Sequence, residues 1–204
     1  RHNIPVVSFS NDAERSSEGL FLLGFDAQAQ VERVISYAKQ QGINDYTALL
    51  PDNEMGSQML QAYEGGLAKY AETLDRLEWY TDMDEQLSES LERLSYHYKD
   101  ETLSPLETTQ SHILFVPEGG ETLLTIAGRI FEEKMENKHF RLMGRGMWDD
   151  EQLANQLVLN GSWFASSPLG LKKEFFNRFE NNFGYTPPRL ASIAYDALAL
   201  AIIL

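Results

Sequence analysis

Three carboxylates stand where a small ligand could be met. Asp52, Glu118 and Asp149 each follow a short apolar run. Thr47–Leu50 meets Pro51-Asp52-Asn53, Ile113–Val116 meets Pro117-Glu118-Gly119-Gly120, and Leu142-Met143 meets Gly144-Arg145-Gly146 and the Trp148-Asp149-Asp150 turn. A carboxylate at the end of a strand accepts a hydrogen bond from an ammonium or a hydroxyl. The more ordinary use of Asp52 and Asp149 is to cap a helix, where the side chain accepts the first free N–H groups and its charge suits the helix dipole. Glu118 stands evenly between the two uses, because Gly119 and Gly120 let the backbone approach something closely. Ser8 and Ser10 offer hydroxyls and amides to a carboxylate, or make turn bonds. Trp148 either stacks on a ligand or covers the edge of the core, the core being the more ordinary place.

No catalytic signature accompanies these residues. Gly144-x-Gly146 has Asp149 where a dinucleotide fingerprint needs its third glycine, and no phosphate-cradling GxxxxGK[ST] loop occurs. No GxSxG elbow offers a serine nucleophile. The histidines His2, His97, His112 and His139 never pair at helical spacing, so each reads as a surface or loop histidine and no metal site is expected. With no cysteine there is no thiol nucleophile or disulfide framework. Asn160-Gly161-Ser162 matches a glycosylation sequon by letter only. The net charge of −14 and the absence of a basic stripe count against nucleic acid. No apolar run reaches the roughly 18 residues that a membrane-spanning helix needs. The expectation is a non-enzyme without cofactor.

The carboxylates need a scaffold. Met59, Tyr63, Leu67 and Tyr70 recur at helical spacing after the first turn, Leu123, Ala127 and Ile130 after the second, and a third helix is expected toward Leu153. Three strand-turn-helix units predict an α/β fold with a parallel sheet flanked by helices. Ligands of such sheets sit in the crevice at the carboxyl ends of the strands, where these turns lie. Ile4–Phe9, Leu20–Phe25, Thr73–Tyr80 and Ser162–Ser166 read as further strands. Asp26 caps a helix with Val31, Val34 and Ala38 inward and Gly42 at its end. Asp82 or Asp84 caps an acidic helix with Leu87, Leu91, Leu94 and Tyr98 inward and Glu85, Glu89 and Glu92, opposed by Arg93, outward. Lys99–Gln110 is a loop broken by Pro105. Ser167 as cap and Pro168 as first residue open a helix lined by Leu171, Phe175, Phe179 and Phe183 and ended by Gly184. The helix from Leu190 to Leu204 is apolar enough to expect burial on several sides, and both ends of the chain read as cut.

Laid in order, IPVVSFS, GLFLLGFDAQAQVERVISYAKQQGI, YTALLPDNEMGSQMLQAYEGGL, ILFVPEGGE, RLMGRGMWDD, GSWFASS and FGYTPPRLASIAYDALALA span nearly the whole chain. Their order resembles the type I periplasmic binding protein fold, in which two α/β lobes flank a ligand cleft. In wording they are most similar to the bacterial penicillin-binding protein activator family, lipoproteins related to the branched-chain amino-acid receptors of ABC transporters. The resemblance implies that residues 1–18 are the end of lobe one and the crossover, 19–165 form lobe two, and 166–204 return to a truncated lobe one. It also implies a periplasmic protein, lipid-anchored through a missing N-terminal segment.

In the amino-acid receptors the turn matching PDNEMG carries an aromatic before its glycine, to cover the ligand. Here that position is Met55, which points away from ordinary amino-acid binding and toward the activator branch. The implied partner is a peptidoglycan synthase, a penicillin-binding protein whose transpeptidase is stimulated. The alternative partner is an ABC permease, the lobes closing on a branched-chain amino acid or similar small polar ligand in the interlobe cleft. Glu118 and Gly119 match a place where receptors contact ligand, and the acidic face of residues 85–98 is the expected partner surface.

Overall fold

The computed structural model describes residues 5–9, 17–97, 112–132, 140–188 and 191–203. Ser10, Ile4, Tyr98, the 99–110 loop, His2 and His139 lie outside them. The chain divides into two compact units, Arg1–Asp26 with Ser166–Leu204, and Ala27–Ala165.

The larger unit is a parallel sheet covered on both faces. Its strands are β3 (Asp45–Pro51), β4 (Arg76–Tyr80), β5 (His112–Phe115), β6 (Phe140–Gly144) and β7 (Trp163–Phe164), in the order β4-β3-β5-β6-β7. Residues 46–51 of β3 and all of β5 are buried, the continuous run expected of strands with helices on both sides. Alternate residues turn to opposite faces. Tyr46, Ala48, Leu50, Ile113, Phe115 and Met143 join one cluster with α1 (Ala27–Gln40) and α2 (Glu54–Ala68). Leu49, Leu114, Val116 and Leu142 join the other with α3 (Glu85–His97) and α4 (Gly120–Glu132). On the first face the Tyr63 ring stacks on Phe115, centroids 4.5 Å apart. Each fully buried side chain of this size is worth about 1.5–3 kcal/mol over exposure.

Strand order fixes the place of interest. The chain passes from β3 outward to β4 and returns on the other side of β3 as β5, paired from Asp45↔His112 to Ala48↔Phe115. The direction of winding therefore reverses between β3 and β5. The crevice outside their carboxyl ends is the topological switch point, where open α/β sheets take ligands.

Several expectations are corrected here. The third strand-turn-helix unit ends in a 3-10 turn over Gly146–Trp148 and a single helical turn, α5 (Glu151–Ala154), in place of a full helix. Tyr70 lies beyond α2 and is 37% exposed. Of the two caps expected for α3, Asp82 is the one whose side chain acts, its Oδ1 accepting from the backbone of Asp84 and Gln86 at 3.0 and 3.2 Å. Arg93, expected only on the outer face, donates to Oε2 of the buried Glu78 in β4 at 2.8 Å. His112 is no surface histidine: it is buried in β5, with Nδ1 2.9 Å from Asp45 Oδ2 at the amino end of the sheet.

The smaller unit, which takes in the chain up to Asp26, pairs β1 (Val6–Ser8) with β2 (Leu20–Leu22) in parallel. Helix α6 (Leu169–Phe183) starts one residue later than expected, with Pro168 at the cap position and no side-chain cap bond. It ends on Gly184 at φ 77°, a left-handed residue that suits glycine. Phe175, Phe179, Tyr185 and Tyr195 form an aromatic cluster, with Phe175–Tyr195 centroids at 5.0 Å. Helix α7 (Ala191–Ile203) departs from expectation: Ala197 is its buried residue, and Leu198, Ile202 and Ile203 are exposed.

Candidate functional site

The carboxyl ends of β3, β4, β5 and β6 bring Asp52, Tyr80, Glu118 and Arg145 to one rim of the larger unit. The turn after β3 is built by its neighbours. Asn53, not Asp52, caps α2, its Oδ1 accepting from Gly56 N at 3.0 Å. Gly56 is obligatory for this approach, since a Cβ there would fall 1.9 Å from the Pro51 carbonyl oxygen. Asp52 donates its backbone N–H to the Tyr80 carbonyl at 2.8 Å, tying the ends of β3 and β4 together. Its carboxylate is left exposed on the rim. Met55 is half-buried and packs on the α1–α2 core cluster.

Glu118 is the hub of the rim. Its Oε1 accepts the Tyr80 phenol at 2.9 Å, and its carbonyl accepts Trp148 Nε1 at 2.6 Å. Gly119 sits against Met147, where a Cβ would meet the Met147 Cβ at 2.9 Å. Trp148 is 3% exposed and lies flat on Gly144, where a Cβ would come within 2.1 Å of the indole. Trp148 is therefore core, and it holds the Glu118 backbone from behind instead of stacking on a ligand. Asp149 is partly exposed and does not cap α5; that cap is Asp150, whose Oδ1 accepts from Gln152 N at 2.7 Å. Ser8 is half-buried at the end of β1, in the smaller unit, its carbonyl accepting from Leu23 N at 2.8 Å. Ser10 lies outside the described residues.

Spacing in the sequence does not single out Tyr80 or Arg145. Tyr80 reads as the last residue of a weakly alternating strand, and Arg145 as the middle of a glycine turn. Each is placed by its strand end: β3 and β4 pair Pro51 with Tyr80, and Arg145 follows the last residue of β6. Arg145 Nε donates to the Pro117 carbonyl at 3.0 Å, and the next amide, Gly146 N, donates to Gln30 Oε1 at 2.8 Å, so the turn is held on both sides.

Electrostatics separate the roles of these groups. Burial, then the negative charge of Glu118, raises the Tyr80 phenol far above its ordinary value, so it remains a neutral donor. Burial lowers Arg145, opposed by Glu118, yet a guanidinium remains charged at neutral pH. The rim thus offers a fixed carboxylate, a fixed cation and backbone held rigidly beneath them. Such groups can accept and donate hydrogen bonds. Among the described residues no group of three or more His, Asp or Glu gathers to hold a metal. No described helix is long and apolar enough to cross a membrane.

A groove of about 710 Å³ opens in the smaller unit, lined by Leu23, Phe25, Glu174, Arg178, Tyr195 and Asp196 among others. It contains none of the residues singled out from the sequence, and the rim has the stronger claim by topology and by its held polar groups.

No family model and no curated relative matches the sequence. Solved structures do. A branched-chain amino-acid ABC transporter periplasmic ligand-binding protein from Burkholderia xenovorans LB400 superposes with a TM-score of 0.70 at 17% identity, over 96% of this chain and 50% of that one. A solute-binding protein of an ABC transporter from Rhodopseudomonas palustris BisB5, in complex with 3,4-dihydroxybenzoic acid, gives 0.68 at 17% identity, over 97% and 54%. Full-length LpoA from Haemophilus influenzae gives 0.68 at 13% identity, over 97% and 35%. The chain spans about half the length of the two transporter proteins and about a third of LpoA. Its fold is that of the type I periplasmic binding proteins, as the order of its strands and turns implies.

Proposed function

We propose that the protein is a non-enzymatic, periplasmic activator of a peptidoglycan synthase of the penicillin-binding class. The observation that carries this reading is the state of the two candidate lids. Met55 is half-buried against the α1–α2 cluster and supplies no aromatic ring over the turn, and Trp148 is buried against Gly144, away from a ligand. LpoA, a penicillin-binding protein activator, is among the structural neighbours and supports the same reading. The test is direct: the full-length protein should bind a bifunctional penicillin-binding protein of its own organism and raise its transpeptidase rate. Absence of both binding and stimulation would refute the proposal.

A second reading, a solute receptor of an ABC transporter, is favoured by the Tyr80–Glu118 hydrogen bond. A carboxylate held by a buried phenol keeps its second oxygen for a ligand donor, and the orienting is done before binding. Phe164, 40% exposed at the end of β7 and 6.5 Å from the Trp148 ring, adds apolar surface at the same edge. A thermal-shift screen with free amino acids tests it, since binding to the native state adds about 2.7 kcal/mol at a hundredfold excess over Kd. A shift lost in Glu118→Gln supports this reading, and no shift with any amino acid removes it.

A further inference from the structure

Strand β4 is an edge of the sheet among the described strands, paired with β3 on one side only. The Asp52 N–H donates to the Tyr80 carbonyl, so Tyr80 turns its backbone groups toward β3. By alternation Glu78 and Arg76 do the same, while Leu77 and Trp79 turn theirs outward, away from the sheet. An open edge of this kind is a template for a strand of another chain. Here side chains of α3 occupy it. Ser90 Oγ donates to the Trp79 carbonyl at 2.6 Å and accepts from Arg93 Nη2 at 2.8 Å. Arg93 Nε donates to Oε2 of Glu78 at 2.8 Å, and Arg76 holds Oε1 of the same carboxylate through Nε at 3.2 Å and Nη2 at 2.8 Å. The circuit leaves β4 at the Glu78 side chain and returns to it at the next carbonyl. Burying Glu78 to 8% exposure costs hydration that paired cations must offset. Attachment of α3 to the sheet does not call for that cost, since Leu87, Leu91 and Leu94 are already fully buried.

We propose that Ser90 and Arg93 of α3 form a strap that shuts the β4 edge against a second copy of this chain, with Glu78 as its latch. The proposal stands apart from both functional readings above. A second copy is the occupant that the edge itself specifies, because the two outward residues, Leu77 and Trp79, are placed symmetrically about Glu78. Two β4 strands related by a two-fold axis run antiparallel. Leu77 of one copy then exchanges backbone hydrogen bonds with the partner's Trp79, and the reverse. That exchange needs the Trp79 carbonyl, which Ser90 already fills. The same register sets Glu78 directly opposite the partner's Glu78, a like-charge pair that opposes it, and Arg93 holds the carboxylate on its own chain. A charge turned inward on a short edge strand and a helix bonded to its free carbonyl are both means of keeping a sheet edge single.

The experiment measures self-association of the full-length protein by sedimentation equilibrium over a range of concentrations. Ser90→Ala frees the Trp79 carbonyl and should tighten self-association by roughly tenfold or more, the factor that the free energy of one hydrogen bond gives. Arg93→Gln, at an exposed side chain, loosens the latch and should act in the same direction by less. Leu77→Pro removes an outward N–H without touching the ladder to β3, so adding it to Ser90→Ala should restore the association of the parent protein. Met59→Ala truncates the core on the opposite face of the sheet and should leave association unchanged, which separates the strap from general instability. Melting curves establish which variants are folded, and Arg93→Gln carries the test if Ser90→Ala is not. Folded strap variants that associate no more than the parent would overturn the proposal. Association that survives Leu77→Pro, or that Met59→Ala shows equally, would overturn β4 as the surface.

Discussion

Tyr80→Phe is the sharpest perturbation of the rim, because it deletes one oxygen and conserves the ring. Tyr80 is 4% exposed and its ring belongs to the α3–α4 core cluster, so phenylalanine leaves no cavity. What is lost is the 2.9 Å bond to Glu118. A hydrogen bond to a charged group contributes about 1.5–3 kcal/mol, and the half-exposed Glu118 can recover water, which places the loss near the lower figure, about 1.5 kcal/mol. With a urea slope near the top of the usual range, the midpoint should fall by about half a molar at neutral pH. The pH dependence carries the second half of the prediction. The phenol is raised in the folded state, so its proton is kept there while the unfolded chain loses it above about pH 10. Its stabilisation is complete below that pH and declines above it, by about 1.4 kcal/mol for each further unit. The parent protein should therefore lose its advantage over Tyr80→Phe near about pH 11, the two urea midpoints converging there. Tyr46, also raised by its burial and then by Asp75, is present in both proteins and cancels in the difference. Equal midpoints at neutral pH, or a gap that does not change between neutral and alkaline pH, would refute the phenol's role.

Three further outcomes follow from the same geometry. Asn53→Ala should cost about 1 kcal/mol as a lost cap, whereas Asp52→Ala should stay within about 0.5 kcal/mol; thermal melts that reverse this order would return the cap to Asp52. Gly144→Ala should force the Trp148 indole off its seat and destabilise by about 1–3 kcal/mol, with red-shifted tryptophan emission as the side chain meets water, and unchanged emission would show that the ring lies elsewhere. Leu91→Ala, at a fully buried position in α3, should cost about 2–5 kcal/mol by denaturant unfolding, and a loss under about 1 kcal/mol would contradict the placing of the acidic helix on the sheet.

The elements most legible in the sequence are those whose burial is complete. The Thr47–Leu50 and Ile113–Val116 runs have no polar side to mislead, and both are central strands. The α1 and α4 stripes at Val31, Val34, Ala38 and at Leu123, Ala127, Ile130 work for the same reason: one face meets one sheet. Where the reading fails, a tertiary contact decides. The Glu151 helix starts one residue later than the Asp149 cap implies and stops after one turn, because nothing in Asp150 or Glu151 encodes how far the chain runs before β7. Arg93 looks solvated from its neighbours in sequence, yet the acceptor it meets is on β4, fifteen residues away. His112 sits at a loop edge by letter and inside β5 by register, across from Asp45.

The site divides along the same line. A carboxylate that follows a strand is visible as such, and of the three singled out, Glu118 is the one whose side chain and backbone are both engaged across strands. The glycines flagged its turn for a good reason, but the approach they permit is that of Met147 and of the turn itself, at Gly119 and at Gly120 with φ 57°. Asp52 and Asp149 read as caps from the sequence, and each lies one residue off, since Asn53 and Asp150 do the capping. That single-residue error matters for function: it leaves the Asp52 carboxylate on the rim, beside a strand end that it bonds only through its backbone. Tyr80 and Arg145 could not be assigned from spacing, because the property that marks them is adjacency of strand ends 38 and 28 residues from their partners. A parallel sheet makes such sites by construction. Its strand ends are neighbours in space and strangers in sequence, so a chemical pair on this fold becomes visible only once the strand order is known.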